Sequence, residues 1–215
     1  MTIATITIEH QGKELAAGAR SYVYQLLATA FSYPTDGFCK DLASGEWSSQ
    51  MFALAQHLPF ALSALTEMSP GEPPTEELLQ RAYVSIFEVG PGQPYCPLYE
   101  GSHRSGRMKL MEDLVRFYEH FGLITQTGDH PDHLSAELEF MHYMAFKEAA
   151  ALARSDLVHD LQRAQRDFLD RHLCKWLPRV RERLRSAQDL PPFYRFAAGF
   201  ADEFCRRDLV WLKAA

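Results

Sequence analysis

The chain has 215 residues, of which 47% are hydrophobic and 23% charged, with a formal net charge of −6. That length and apolar content suffice for one substantial core or two small lobes, and they exclude disorder throughout. The negative balance argues against nucleic acid or an anionic membrane surface as partner, because both call for a basic face.

Residues Thr2 to Ile8 alternate threonine and isoleucine in a strand-like way. With no second strand pattern to pair with, residues 1–12 are read as a tail or pairing segment. They lack the basic-then-apolar order of a signal peptide. Helical spacing begins at Lys13 and carries Ala19, Tyr22, Val23, Leu26, Leu27 and Ala30 until Tyr33-Pro34 stops it. Helices are predicted over Gly37 to Ala43 and Ser48 to Met68, the second broken near Pro59. The stretch from Phe52 to Leu65 is the most apolar, yet Gln56, His57 and Pro59 interrupt it, so it cannot span a bilayer.

Ser69 to Pro74 reads as a loop. Thr75 is predicted to cap a helix running through Tyr83 to Phe87, with Leu78 answering it. An ordered Pro/Gly loop follows over residues 88–104. Ser105 to Phe121 is predicted helical, with Met108, Met111, Leu114, Val115 and Tyr118 inward and Gly122 as C-cap. Thr125 to His130 is the candidate hinge. Three more helices are predicted: Asp132 to Ala153, Ser155 to Arg185 with a break at Pro178, and Pro192 to Leu212. Phe193, Phe196, Ala197, Phe200 and Phe204 share one face of the last. The fold class is therefore an all-α helical bundle. An N-terminal part, 13–122, and a C-terminal part, 123–215, form either one domain or two lobes joined near 122–131.

The polar residues that invite chemistry concentrate between Asp129 and His142. On a helix, Leu134, Leu138, Met141 and Ala145 make the core stripe. His133 and Glu137 form an i,i+4 pair along one edge, Glu139 and His142 lie toward the other, and Asp132 points away near the helix start. The plain reading is a cap and a flanking ion pair. Glu139-x-x-His142 also matches half of a di-iron bundle signature, but the only second match, Glu100-x-x-His103, falls in a loop. Cys39, Cys96, Cys174 and Cys205 are far apart and form no Cys-x-x-Cys pair, which fits reduced thiols in a cytoplasm. Cys96 and His103 are close enough in sequence for a nucleophile pair to be conceivable, although a structural cysteine is the simpler reading. His172, between Phe168 and Trp176 at i−4 and i+4, is expected to be a packed or hydrogen-bonded core-edge histidine.

Three separated segments resemble the TorD/DmsD/NarJ family of molybdoenzyme-specific chaperones. They are Tyr83-x-x-Ile-Phe87 with Gly-Pro-Gly92 and Tyr99; Pro131-Asp132-His133-Leu134 leading into Glu137-Leu-Glu-Phe-Met141; and Phe168-Leu-x-x-His172-Leu-x-x-Trp176-Leu-Pro178. Pro131 directly adjoins Asp132, a form more similar to the nitrate-reductase-type chaperones.

The resemblance implies an all-helical, non-enzymatic protein; no cofactor is expected, and the scattered cysteines and single helical Glu-x-x-His lead to the expectation of no metal. Its partner would be the apo catalytic subunit of a molybdopterin oxidoreductase, bound through an N-terminal region that is often a twin-arginine signal. The chaperone would be a monomer or a homodimer, in some cases formed by exchange of lobes. The expected client-peptide residues are Asp132, His133, Glu137 and Glu139, with Tyr83, Phe87, Tyr95 and Tyr99 as aromatic anchors. The alternative from a different class is a helical metalloenzyme using Glu139 and His142.

Overall fold

A computed structural model describes residues 12–63, 72–124, 130–154 and 156–214. The strand-like run at Thr2 to Ile8, the end of the predicted Ser48 to Met68 helix, the first half of the loop at Ser69 to Pro74 and most of the candidate hinge lie outside these. The described residues contain nine α-helices and no strand. They are α1 Lys13–Ala30, α2 Asp36–Ala43, α3 Glu46–Ala55, α4 Glu76–Tyr83, α5 Arg107–His120, α6 Leu134–Ala153, α7 His159–Arg171, α8 Leu173–Ser186 and α9 Pro192–Ala214. A single π-helical turn, Val84–Glu88, extends α4, and a 3-10 turn, Glu100–Ser102, ends the proline-rich loop.

Local chemistry sets several of these boundaries. Thr75 Oγ1 accepts from the Leu78 backbone N–H at 3.3 Å, so the predicted cap starts α4. Gly122 adopts φ 82° after α5, and Leu123 N–H returns to the Tyr118 carbonyl at 2.9 Å. That left-handed C-cap favours glycine, as the sequence indicates. Helix α3 stops at Ala55, four residues before Pro59, because its last turn has already tightened: Gln56 and His57 N–H bond Ala53 and Leu54. The predicted break at Pro178 falls instead at His172, whose backbone leaves the helical region at φ −119°, ψ −97°. Pro178 lies inside α8. On α5, Met108 is 89% exposed and Leu110 takes its place inside.

One hydrophobic core runs from Val23 of α1 to Leu212 of α9. Helix α9 is its centre: Phe193, Phe196, Phe200 and Phe204 are buried as predicted, and so are Tyr194, Ala198 and Ala201 on its other sides. A helix apolar on most of its circumference belongs at the middle of a bundle. Helix α1 lies along α6, both facing a buried ionic knot. There Arg20 Nε donates to Asp208 at 2.6 Å and its Nη1 to Glu148 at 2.8 Å, while Gln165 and Tyr24 complete the set.

Candidate functional site

The proline-rich loop is fastened at its middle and toward its end. At the middle, Cys96 N–H donates to the Ile86 carbonyl of the π turn at 2.8 Å. At its end, Tyr99 and His133 form an isolated antiparallel bridge, with Glu100 N–H on Asp132 O and Leu134 N–H on Leu98 O, both at 2.8 Å. Two backbone bonds therefore join the first sequence segment to the second, just ahead of α6.

Behind the bridge lies a buried polar centre that also takes in the third segment. Glu100 and Glu137 are 0% exposed. One Glu100 oxygen faces His172 Nδ1 at 2.9 Å and the other accepts from Arg104. Glu137 accepts from the Trp176 indole N–H at 3.2 Å. Burial, and then the adjacent Glu100 carboxylate, push the Glu137 carboxyl well above its ordinary range, which favours the neutral acid. Asp132 is also 0% exposed, with Oδ2 accepting from Gly101 N–H at 3.2 Å. Gly101 is required by this approach, since a Cβ there would sit 2.9 Å from that oxygen.

This geometry corrects several sequence expectations. Asp132 does not point away from the core, and the residue capping α6 is His133, whose Nδ1 accepts from Ser135 N–H at 3.2 Å. His133 and Glu137 form no edge pair, because Glu137 turns inward to Trp176. Burial and neighbouring His130 lower the His133 pKa to about 4, so its ring is neutral at physiological pH. Tyr83 and Phe87 pack in the core, the ordinary packing expected of Phe87 and of at least one of these tyrosines: the Tyr83 hydroxyl donates to Phe31 O at 3.3 Å, and Phe87 meets Tyr194 edge-on at 5.1 Å. His172 is buried and hydrogen-bonded as expected. Cys96 is buried, burial pushes its thiol up to about 12, and His103 turns to the Pro97 carbonyl at 2.7 Å; no nucleophile pair forms.

Of the expected site residues, Tyr95, Tyr99, His133 and Glu139 reach the surface. Tyr95 is 47% exposed. Tyr99 packs edge-on against His130 and His133 at 5.3 and 5.0 Å. Beside them opens a groove of about 490 Å³, floored by Tyr118, Phe140 and Tyr143 and bordered by His133, Glu139 and Ile124. Ile124 is 86% exposed, so the groove carries an apolar lip as well as an acidic one. Glu88 lies near enough to Tyr99 to raise its hydroxyl pKa, second to burial, and adds a carboxylate on that side. Sequence reasoning missed Glu100, Trp176 and the groove floor.

Glu139 and His142 do not converge. His142 Nδ1 is bound to Ser21 of α1 at 2.8 Å, while Glu139 is exposed at the groove. Among the described residues no group of three or more His, Cys, Asp or Glu side chains is placed to hold a metal ion. None of their helices is long and apolar enough to cross a membrane.

Comparison with known proteins meets this geometry at the same segments. The model of the nitrate reductase delta subunit family matches residues 49–182, which contain all three. A selenate reductase assembly chaperone protein of Thauera selenatis is 36% identical over 181 residues, 82% of either chain. A chlorate reductase assembly chaperone protein of Ideonella dechloratans is 39% identical, over 69% of this chain and 79% of the relative. A perchlorate reductase assembly chaperone protein of Dechloromonas aromatica is 37% identical over 76% of both. With the family match spanning more than half of its length, this chain belongs to the nitrate reductase delta subunit family, within the TorD/DmsD/NarJ group of molybdoenzyme-specific chaperones.

Proposed function

We propose that this protein is a cytoplasmic, non-enzymatic chaperone for the catalytic subunit of a molybdenum-cofactor oxidoreductase. It binds the N-terminal region of the apo-subunit, or a twin-arginine signal there, and holds the subunit until the cofactor is inserted. The observation that carries the binding site is the groove over Tyr118, Phe140 and Tyr143 with Glu139 at its edge. An apolar floor with carboxylates at the rim suits a peptide in which basic residues flank an apolar run. Tyr99, His133 and exposed Tyr95 extend the recognition surface. Asp132, Glu137, Tyr83 and Phe87 act from beneath it by holding the loop and the start of α6 in register. The chaperone works as a monomer or as a homodimer, and exchange of lobes about residues 122–131 is one route to the dimer.

Glu139 gives the cleanest test because it is exposed and capping does not depend on it. Titration of a peptide from the client's N-terminus into wild type and Glu139→Gln should show binding weakened about two- to fivefold, the scale of one rim ion pair. Melting should stay within about 0.5 kcal/mol of wild type. The salt dependence of binding should shrink in the variant, since exposed charges are screened over about 8 Å. Equal affinities and equal salt slopes would move the peptide away from this groove.

A further inference from the structure

The groove over Tyr118, Phe140 and Tyr143 carries a single fixed charge in its lining. Among the described residues that line it, Glu139 is the one Asp, Glu, Lys or Arg, and His133 is neutral at physiological pH. The Glu139 side chain has neither an ion pair nor a hydrogen bond among the described residues. Partial burial raises its carboxyl above the ordinary range, as expected of a carboxylate that meets an apolar groove without a cation.

A second charge stands past the opposite end of the same wall, and it is positive. Glu139, Tyr143 and Lys147 follow one another at four-residue spacing, so they share one side of α6. The Tyr143 hydroxyl donates to Phe121 O at 3.2 Å and accepts from Lys147 Nζ at 3.3 Å. The same ammonium lies 5.1 Å from the centre of the Tyr143 ring, which is part of the groove floor. No carboxylate of the described residues pairs with Lys147. A neutral hydroxyl holds it in place and leaves its charge, and its other N–H donors, open to whatever lies over Tyr143.

The two charges are eight residues apart, about 12 Å along the helix axis. We infer that the groove is polarised and selects a dipolar segment, with a basic residue at Glu139, apolar side chains over Phe140 and Tyr143, and an acidic residue at Lys147. This rests on the groove being the client's seat, and it adds what the second flank of the client segment must be. A gap of about 12 Å is covered by roughly four residues of extended chain or eight of helix. A segment basic at both ends sets one cation against Lys147, and that like-charge contact loses affinity where the dipolar segment gains it. The groove therefore discriminates by repulsion as well as by attraction.

The test uses three capped peptides that share one apolar run. The first ends in arginine and glutamate, the second in arginine at both ends, the third in glutamine at both ends. Each is titrated into the full chain while NMR signals of the Tyr118 and Tyr143 rings report entry into the groove. Wild type should bind the dipolar peptide about fivefold more tightly than the doubly basic one, the scale of one rim pair gained and one repulsion avoided. Lys147→Gln keeps a donor for Tyr143 and should level the two affinities; Lys147→Glu should reverse their order. Both variants should melt as wild type does, because the position is partly exposed. Equal binding of the two charged peptides by wild type, or a Lys147→Glu protein that keeps the wild-type order, overturns the polarity while the rings still report a peptide in the groove. Silent rings with all three peptides remove the groove as a peptide seat, and this inference with it.

Discussion

At the scale of single residues, the polar centre behind the loop joins two opposite proton linkages. The Glu137 carboxyl is raised in the folded state by burial and by Glu100. A raised acid contributes stability that is complete below its unfolded pKa and is lost as pH rises toward the folded value. Glu137→Gln keeps an acceptor for Trp176 and cannot ionise, so its melting temperature should fall less than wild type between about pH 5 and pH 8. His133 runs the other way. With its pKa lowered to about 4, its stabilising share is complete above its ordinary 6.5 and is lost as pH falls through that interval. His133→Asn preserves a side-chain cap without a titrating ring, and thermal melts should show a smaller acid-side loss than in wild type. Gly101 has neither option: Gly101→Ala forces a methyl against Asp132 and should cost about 1–3 kcal/mol in urea unfolding.

Among elements, periodicity found most of the helices and the α6 stripe of Leu134, Leu138, Met141 and Ala145, all fully buried. Caps at Thr75 and Gly122 were legible because each is a local bond within a few residues. The burial of Asp132 and Glu137 was not, because a hydrophobic pattern assigns carboxylates to water. What brings them inside is distant in sequence: Trp176 is 39 residues from Glu137, and Gly101 is 31 from Asp132. The family-like segments come together in the structure, but spacing alone could not separate Glu139, which faces the groove, from Glu137, which faces the core. The break at His172 was hidden for the same reason, since the departure falls at the residue whose ring is tied to Glu100, while Pro178 stays within a continuous helix.

For the molecule as a whole, one core and one ionic knot tie the earliest described helix to the last. Arg20 is fully buried against Asp208 and Glu148. Arg20→Met would leave two carboxylates without their cation, and chemical denaturation should register a loss of about 3–5 kcal/mol. Replacing Arg20, Asp208 and Glu148 together by apolar residues of similar size should recover most of that loss. The groove over Tyr118, Phe140 and Tyr143 sits on this frame, so Glu139→Gln at its edge should leave the unfolding midpoint in place.

The pairing of Arg20 with Asp208 spans 188 positions of the chain. On a ribosome adding about 5–20 residues per second, that separation corresponds to roughly 10–40 seconds in which the guanidinium has been made and its carboxylate has not. Glu148 can meet the guanidinium earlier, but the Nε and Nη2 pairing with Asp208 and the core face of α9 come only with the last described helix, so the bundle closes when α9 emerges. A nascent chain arrested before Asp208 should therefore remain protease-sensitive in α1, and one released after α9 should become resistant. By this contact the first and the last described helices reach their final packing together.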